Sequence, residues 1–296
     1  MEKNQKLALL YGLLTVFLWS TVASAFKLTL RYFDPIQLLL YASLTSLIVL
    51  FLILLKQKKV HLLFTCKKQE YLYMAFLGII NPFLYYLVLF KAYDLLPAQE
   101  AQPINYTWAL TLSYLSVFIL KHSLKKHDII AGLLCYAGIV VIVTHGDIIH
   151  FSFSNLNGVF LALFSTLLWS LYWLYNTKLT VDPLIGLCVN FAVSLPLIFL
   201  WSLFFSAPFD VNLYGILGSV YVGIFEMGLT FVLWLKAMKL STNASQVANL
   251  IFISPFISLL LISLIVGETI LVSTFIGLLF IIIGLLIQQV KHKDCG

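Results

Sequence analysis

Charge is what this sequence has least of. Only 10% of its 296 residues are Asp, Glu, Lys or Arg, against about a quarter in an average soluble domain, and this excludes an ordinary water-soluble enzyme. Four cysteines, Cys66, Cys135, Cys188 and Cys295, have no metal-ligand spacing and no paired neighbour, so neither a zinc site nor a disulfide framework is expected. Walker-type glycine loops, HExxH and CxxC are all missing. An ATP-driven pump in this one chain is thereby excluded, and no cofactor or metal is expected. His61, His122, His127, His145, His150 and His292 fall in loops, span ends or the tail. That scatter argues against an intramembrane enzyme, which needs acids and histidines clustered at one depth.

What is present is apolar. The hydrophobic share is 61% and the mean hydropathy +1.01. A bilayer core needs about 20 mostly apolar residues per helix, and such windows fall near 7–26, 35–55, 70–90, 97–119, 129–145, 156–176, 184–205, 214–235, 243–265 and 271–290. The expected fold class is an all-α integral membrane protein of ten transmembrane helices. Ten spans leave about 96 residues for loops and tails, too few for a soluble domain.

Basic residues orient these spans. With the N-terminus inside, 15 of the 18 Lys and Arg fall on the inner side, and only Lys27, Arg31 and Lys91 lie outside. Such a bias predicts cytoplasmic termini and a multi-pass protein of the cytoplasmic membrane. The net charge of +6 therefore reflects loops beside lipid, and no nucleic-acid partner is expected. Lys3 and Lys6, then an apolar run and Ala23-Ser24-Ala25, have the form of a cleavable signal. The same stretch has a twin in the middle of the chain, which argues for its retention.

The twin belongs to a longer series. Leu18-Trp19-Ser20 returns as Leu168-Trp169-Ser170, Lys27-Leu28-Thr29 as Lys178-Leu179-Thr180, and Asp34-Pro35 as Asp182-Pro183. At an offset of 145, Gly78-Ile79-Ile80-Asn81 matches Gly223-Ile224-Phe225-Glu226, and Lys91-Ala92 matches Lys236-Ala237. Gln99, Gln102 and Asn105 then fall on Asn243, Gln246 and Asn249, and Gly132 on Gly277. Residues 1–148 and 149–296 thus read as two five-helix repeats. Five is odd, so the second crosses the membrane in the opposite sense, the inverted-repeat plan of secondary transporters.

With the Leu-Trp-Ser near the start of each half and the series Pro255, Gly267-Glu268, Gly277 and Gly284, the chain resembles the EamA branch of the drug/metabolite transporter superfamily over nearly its whole length. Glu100 followed by Asn105-Tyr106-Thr107-Trp108 is similar to a stretch in the fourth helix of bacterial aromatic-amino-acid exporters, although Ala109 stands where those carry proline. The resemblance implies a non-ATP carrier working by alternating access. It favours outward movement of an amino acid or related small polar metabolite. Uptake or facilitated diffusion of a nucleoside, sugar derivative or quaternary amine is the alternative within transport. An intramembrane enzyme is a more distant one.

Polar groups inside a bilayer core are costly and mark candidate sites. Glu226 and its repeat mate Asn81 come first, Glu226 for an amine or a proton, with a protonated, hydrogen-bonded carboxyl as the structural alternative. Gln99, Gln102, Tyr106, Ala109 and Ser113 share one face of the fourth span at helical spacing, flanked by Glu100 and Asn105, with Trp108 alongside. Ser245, Asn249 and Phe252 share a face of the ninth, with Gln246, the repeat mate of Gln102, beside them. Trp19 with Ser20, and Trp169 with Ser170, Trp173 and Asn176, lie too deep for an interfacial belt and read as cavity wall or as packing. Trp201 and Trp234 sit near expected span ends and read as interface anchors. Lys27 and Lys178 are gate candidates, with snorkelling as the alternative. Of the in-span prolines, Pro82 and Pro255 are hinge candidates. The expected partners are a small-molecule substrate, the bilayer and protons as a coupling ion, with the oligomeric state left open.

Overall fold

Five of the spans start at a residue whose side chain accepts from helix N–H groups that have no partner within the helix. Asn4 accepts from Leu7 N at 3.0 Å to start α1 (Gln5–Thr29). Asp34 accepts from Ile36 N and Gln37 N to start α2 (Pro35–Lys56). Its twin Asp182 does the same through Leu184 N for α9 (Pro183–Phe205). In both Asp-Pro pairs the proline takes the first helical position, where no N–H is required. Asn155 and Asn212 cap α8 (Leu156–Asn176) and α10 (Leu213–Phe225).

The computed structural model describes residues 3–119, 126–147, 153–242 and 244–292. Asn243, His122, His150 and Cys295, named above, lie outside the described residues, as do the side chains of Ser245 and His292. The remaining helices are α3 (Lys68–Gly78), α4 (Tyr85–Leu95), α5 (Ala98–Tyr106), α6 (Trp108–Ile119), α7 (Lys126–Val143), α11 (Leu229–Leu240), α12 (Ala244–Asn249), α13 (Ser254–Leu261) and α14 (Val272–His292). Among the described residues they fall into ten consecutive spans and no strand. Seven segments are long and apolar enough to cross a bilayer by length and composition.

Four spans are assembled from pieces, the ninth from α12, the 3-10 turn Leu250–Ile253 and α13. The third joins α3 to α4 through the irregular turn Ile79–Leu84. The fourth joins α5 to α6 at Thr107. The eighth joins α10 to α11 through a three-residue turn and reaches Leu240, five residues beyond the expected end. Trp234 is therefore interior to α11 and packs on Trp19, with ring centroids 5.6 Å apart; the expectation of an end-of-span anchor is corrected. The longer span follows from the extra turn, which hydropathy windows do not register.

The chain divides into two compact units. The first holds Met1–Phe83 and Leu179–Val266. Within it α3 packs on α9, α9 on α2, α2 on α10, and α10 on α1, while α1 also meets α11 and α13. Contacts tie α2 to α9 at both ends: Lys59 to Asp182 at 2.6 Å at one, and Ser206 Oγ to Asp34 Oδ2 at 2.5 Å, with Gln37 Nε2 donating to Ala207 O and Asp210 O, at the other. Two glycines permit close crossings. A Cβ on Gly78 would meet Asn190 O at 2.7 Å, and one on its repeat mate Gly223 would meet Ala42 O at 2.5 Å.

The second unit holds Leu84–Lys178 and Gly267–Gly296. Here α8 packs on α4, α5 and α6, and α7 on α14. A Cβ on Gly138 would meet Gly277 O at 2.5 Å, and one on Gly277 would meet Gly138 O at 2.5 Å. Small residues that bring backbones this close are how apolar helices gain contact area without a hydrophobic driving force.

Candidate functional site

Sequence repeat mates occupy two of the helix breaks of the first unit. Pro82 removes a backbone donor and forces the residue before it out of the helical region, and Asn81 is extended at φ −144°, ψ 119°. Asn81 is 2% exposed, and its Oδ1 has no hydrogen-bond partner. In the other half, α10 ends at Val222–Glu226. Glu226 N still donates to Val222 O at 2.8 Å, but Met227 N reaches the same oxygen at 3.3 Å, a bond across five residues that widens the last turn. Thr230 Oγ1 then donates to Phe225 O at 2.5 Å, satisfying a carbonyl released by the break. Glu226 is partly buried at this turn.

α1 spans the second break. Thr21 Oγ1 and Tyr221 OH are 2.6 Å apart, five residues before Glu226, and Trp19 packs edge-on to Phe231, five residues after it, at 5.7 Å. Ser20 donates to Val16 O and to Ser254 Oγ, joining α1 to α13 beside Pro255. Pro255 sits in the first turn of α13, after the tight 3-10 turn Leu250–Ile253. Hence Pro82 and Pro255 both stand at irregular backbone, whereas Pro196 is accommodated inside α9 without a break.

In the second unit a polar ladder joins α8 to the fourth span. Asn105 Nδ2 donates to Ser165 Oγ at 2.9 Å, Ser170 Oγ donates to Trp108 O at 2.9 Å, and Thr111 and Thr166 hydroxyls are 3.0 Å apart. Beside it lies an aromatic cluster. Trp169 meets Tyr85 at 4.6 Å, Trp108 at 6.4 Å, Trp173 at 5.8 Å and Tyr172 at 5.9 Å. Trp173 Nε1 is buried without an acceptor. Gln102, 5% exposed, has an unpartnered Oε1. Tyr106 and Asn176 are partly buried, on α5 and at the end of α8.

Two expected site residues on α5 are taken up by nearby loops. Gln99 Nε2 donates to Thr269 O, and its Oε1 accepts from Leu271 N and Thr274 Oγ1, all at 3.0 Å. Glu268 reciprocates by accepting from Ala98 N and Gln99 N, so its carboxylate caps α5 where the helix dipole favours negative charge. Glu100, with 2% of its side chain exposed, accepts at Oε1 from Ser154 Oγ at 2.7 Å and lies 2.9 Å from His145 Nε2, while Oε2 has no partner.

Other candidates stand apart. Gln246 and Asn249 are exposed, and Gln246 Oε1 accepts from Gln5 Nε2 at 3.0 Å. Lys178 lies over the Tyr175 ring at 5.3 Å at the end of α8. Lys27 is partly buried in the last turn of α1. Lys236 donates to Tyr11 OH at 2.7 Å.

Sequence reasoning missed Tyr85, Tyr172, His145 and Ser154. A signal existed for the aromatic cluster: the offset of 145 that pairs Asn81 with Glu226 also pairs Tyr86 with Phe231, the ring on Trp19. No periodicity signals His145 and Ser154, which reach Glu100 from a loop. Among the described residues, no group of three His, Cys, Asp or Glu is placed to hold a metal.

Comparison with known proteins accounts for this arrangement. The profile of the EamA-like transporter family matches residues 6–144 and again 156–288. An uncharacterized transporter of Clostridium kluyveri is 26% identical over 296 residues, covering 97% of this chain and 94% of its own. The uncharacterized transporter YvbV of Bacillus subtilis is 26% identical, with 94% of this chain and 90% of its own covered. A solved crystal structure shares the fold at a TM-score of 0.68, with 22% identity over 98% of this chain and 99% of that one. The chain is a multi-span membrane transporter, and it belongs to the EamA-like transporter family.

Proposed function

We propose that the protein is a secondary carrier that moves a small polar metabolite, an amino acid or a related compound, outward across the cytoplasmic membrane by alternating access. Its two halves, residues 1–148 and 149–296, are inverted repeats in this reading, with both termini cytoplasmic. The observation that carries it is the pair of broken helices. The third span of one half and the eighth span of the chain are interrupted at repeat-equivalent residues, and each interruption presents a polar side chain, Asn81 or Glu226. Discontinuous helices of this kind expose backbone and side-chain polar groups to substrates and coupling ions.

Glu226 is assigned the substrate's ammonium group or a proton exchanged against it, and Asn81 a hydrogen bond. The test is counterflow in proteoliposomes with a panel of labelled amino acids, nucleosides, sugar derivatives and quaternary amines, at two pH values. Saturable exchange of an amino-acid class that Glu226→Gln abolishes or renders insensitive to pH is expected. Exchange confined to another solute class overturns the substrate assignment, and exchange by Glu226→Gln equal in rate and pH profile to wild type removes Glu226 from the site.

A further inference from the structure

An apolar groove of about 430 Å³ opens on the surface of the first unit between α2, the loop after it and α9. Leu47, Ile48, Phe51, Leu52 and Leu63 line one side, and Cys188, Val189 and Ala192 the other. Every one of these side chains is apolar, and several are open to the surroundings, with Leu52 56% and Ile48 51% exposed.

One end of this groove is basic. Ile48, Leu52 and Lys56 follow one another at intervals of four residues and so form a single stripe along α2. The stripe runs from the groove wall into an exposed ammonium group. Just beyond, Lys58 takes a left-handed conformation at φ 55°, which ends α2 and turns the chain so that Lys59 reaches Asp182. That pair is neutral as a whole. Lys56, Lys58, Lys67 and Lys68 remain exposed, and they outnumber the local acids, Asp182 and Glu70, the second of which accepts from Lys67 N at 2.7 Å. Phe64, 82% exposed beside Leu63, suits the polar–apolar boundary of a bilayer.

We infer that this groove and its lysines form a binding site for an anionic phospholipid, with one acyl chain lying along Ile48, Leu52 and Ala192 and the phosphate held by Lys56 and Lys58. Basic pockets beside membrane spans recognise anionic headgroups in this way. A zwitterionic lipid fills the apolar part equally well but brings a choline that the lysines repel. The site is independent of the substrate assigned above, and its test requires no transport.

The experiment is native mass spectrometry of the full chain in detergent with phosphatidylglycerol or phosphatidylcholine of identical acyl chains. Wild type is expected to retain phosphatidylglycerol preferentially. Lys56→Gln with Lys58→Gln weakens that retention by roughly fivefold per lysine and leaves phosphatidylcholine unchanged. Ala192→Phe, which fills the groove from an exposed position, lowers retention of both lipids. Ile48→Trp fills it from the other wall and serves if the first variant does not fold. A preference that survives removal of both lysines, or phosphatidylglycerol retention unaffected by a filled groove, overturns the assignment.

Discussion

Removing the imidazole of His145 isolates a buried carboxylate. Glu100 has 2% of its side chain exposed, and its Oε1 receives Ser154 at 2.7 Å with His145 Nε2 at 2.9 Å, while Oε2 has no partner. Leaving a buried polar group short of one hydrogen-bond partner costs about 1–3 kcal/mol. The His145 side chain is 32% exposed, so water follows it into the gap, and we expect His145→Ala to cost about 2 kcal/mol, inside that range. For a chain of this size the shift in Tm is then about 5 °C. Glu100→Gln keeps an acceptor for Ser154 but alters the group that His145 contacts, so the double variant is expected to be less damaged than the sum of the singles, with a coupling of about 1–2 kcal/mol. Thermal unfolding of the four proteins in one detergent measures this. Losses that add to within about 0.5 kcal/mol refute the picture of one buried unit.

Gly78→Ala and Gly223→Ala each place a methyl against backbone of a neighbouring helix, Asn190 O at 2.7 Å and Ala42 O at 2.5 Å, so each is expected to destabilise by about 1–3 kcal/mol; a Tm unchanged in both contradicts the close crossings. Burial of Asp182 opposes its ionisation, but the Lys59 ammonium, the Leu184 N–H and the charge of Lys239 outweigh it and hold the carboxyl below its ordinary value of 3.8. A depressed folded-state value means that this contribution is complete above the unfolded value and fades as pH falls below about 4. Both partners are partly exposed, so the effect is at most about 1 kcal/mol. Asp182→Asn should shrink the loss of stability between pH 6 and pH 3.5, and an identical acid profile in the variant contradicts the assignment.

Hydropathy made the ten spans legible because a bilayer imposes one length and one polarity on every helix. Repetition did more: it paired Asn81 with Glu226 before either was seen at a break. The breaks themselves were only half legible. Pro82 announces the first, since it cannot continue the hydrogen-bond ladder. The second rests on Gly228, where a Cβ would meet Gly223 O at 2.8 Å, and one glycine in an apolar run does not distinguish a break from close packing. The consequence was a span cut short and Trp234 assigned to its end. Gln102 and Gln246, repeat mates in sequence, separate in the fold: one is buried with an unpartnered oxygen, the other is exposed and tied to Gln5. Helical spacing fixes which residues share a face but not what that face meets. Glu100 illustrates the same limit, since its partners come from a loop 45 and 54 residues away.

The most direct test of the account is access to the two breaks from each side of the membrane. In a background with Cys66, Cys135, Cys188 and Cys295 replaced by serine, a single cysteine at position 81 or 226 is challenged with a membrane-impermeant maleimide, in right-side-out and inside-out vesicles. Alternating access predicts labelling of both positions from both sides, with a substrate identified by counterflow slowing the reaction. Labelling from one side only, or from neither, contradicts a pathway through the paired breaks.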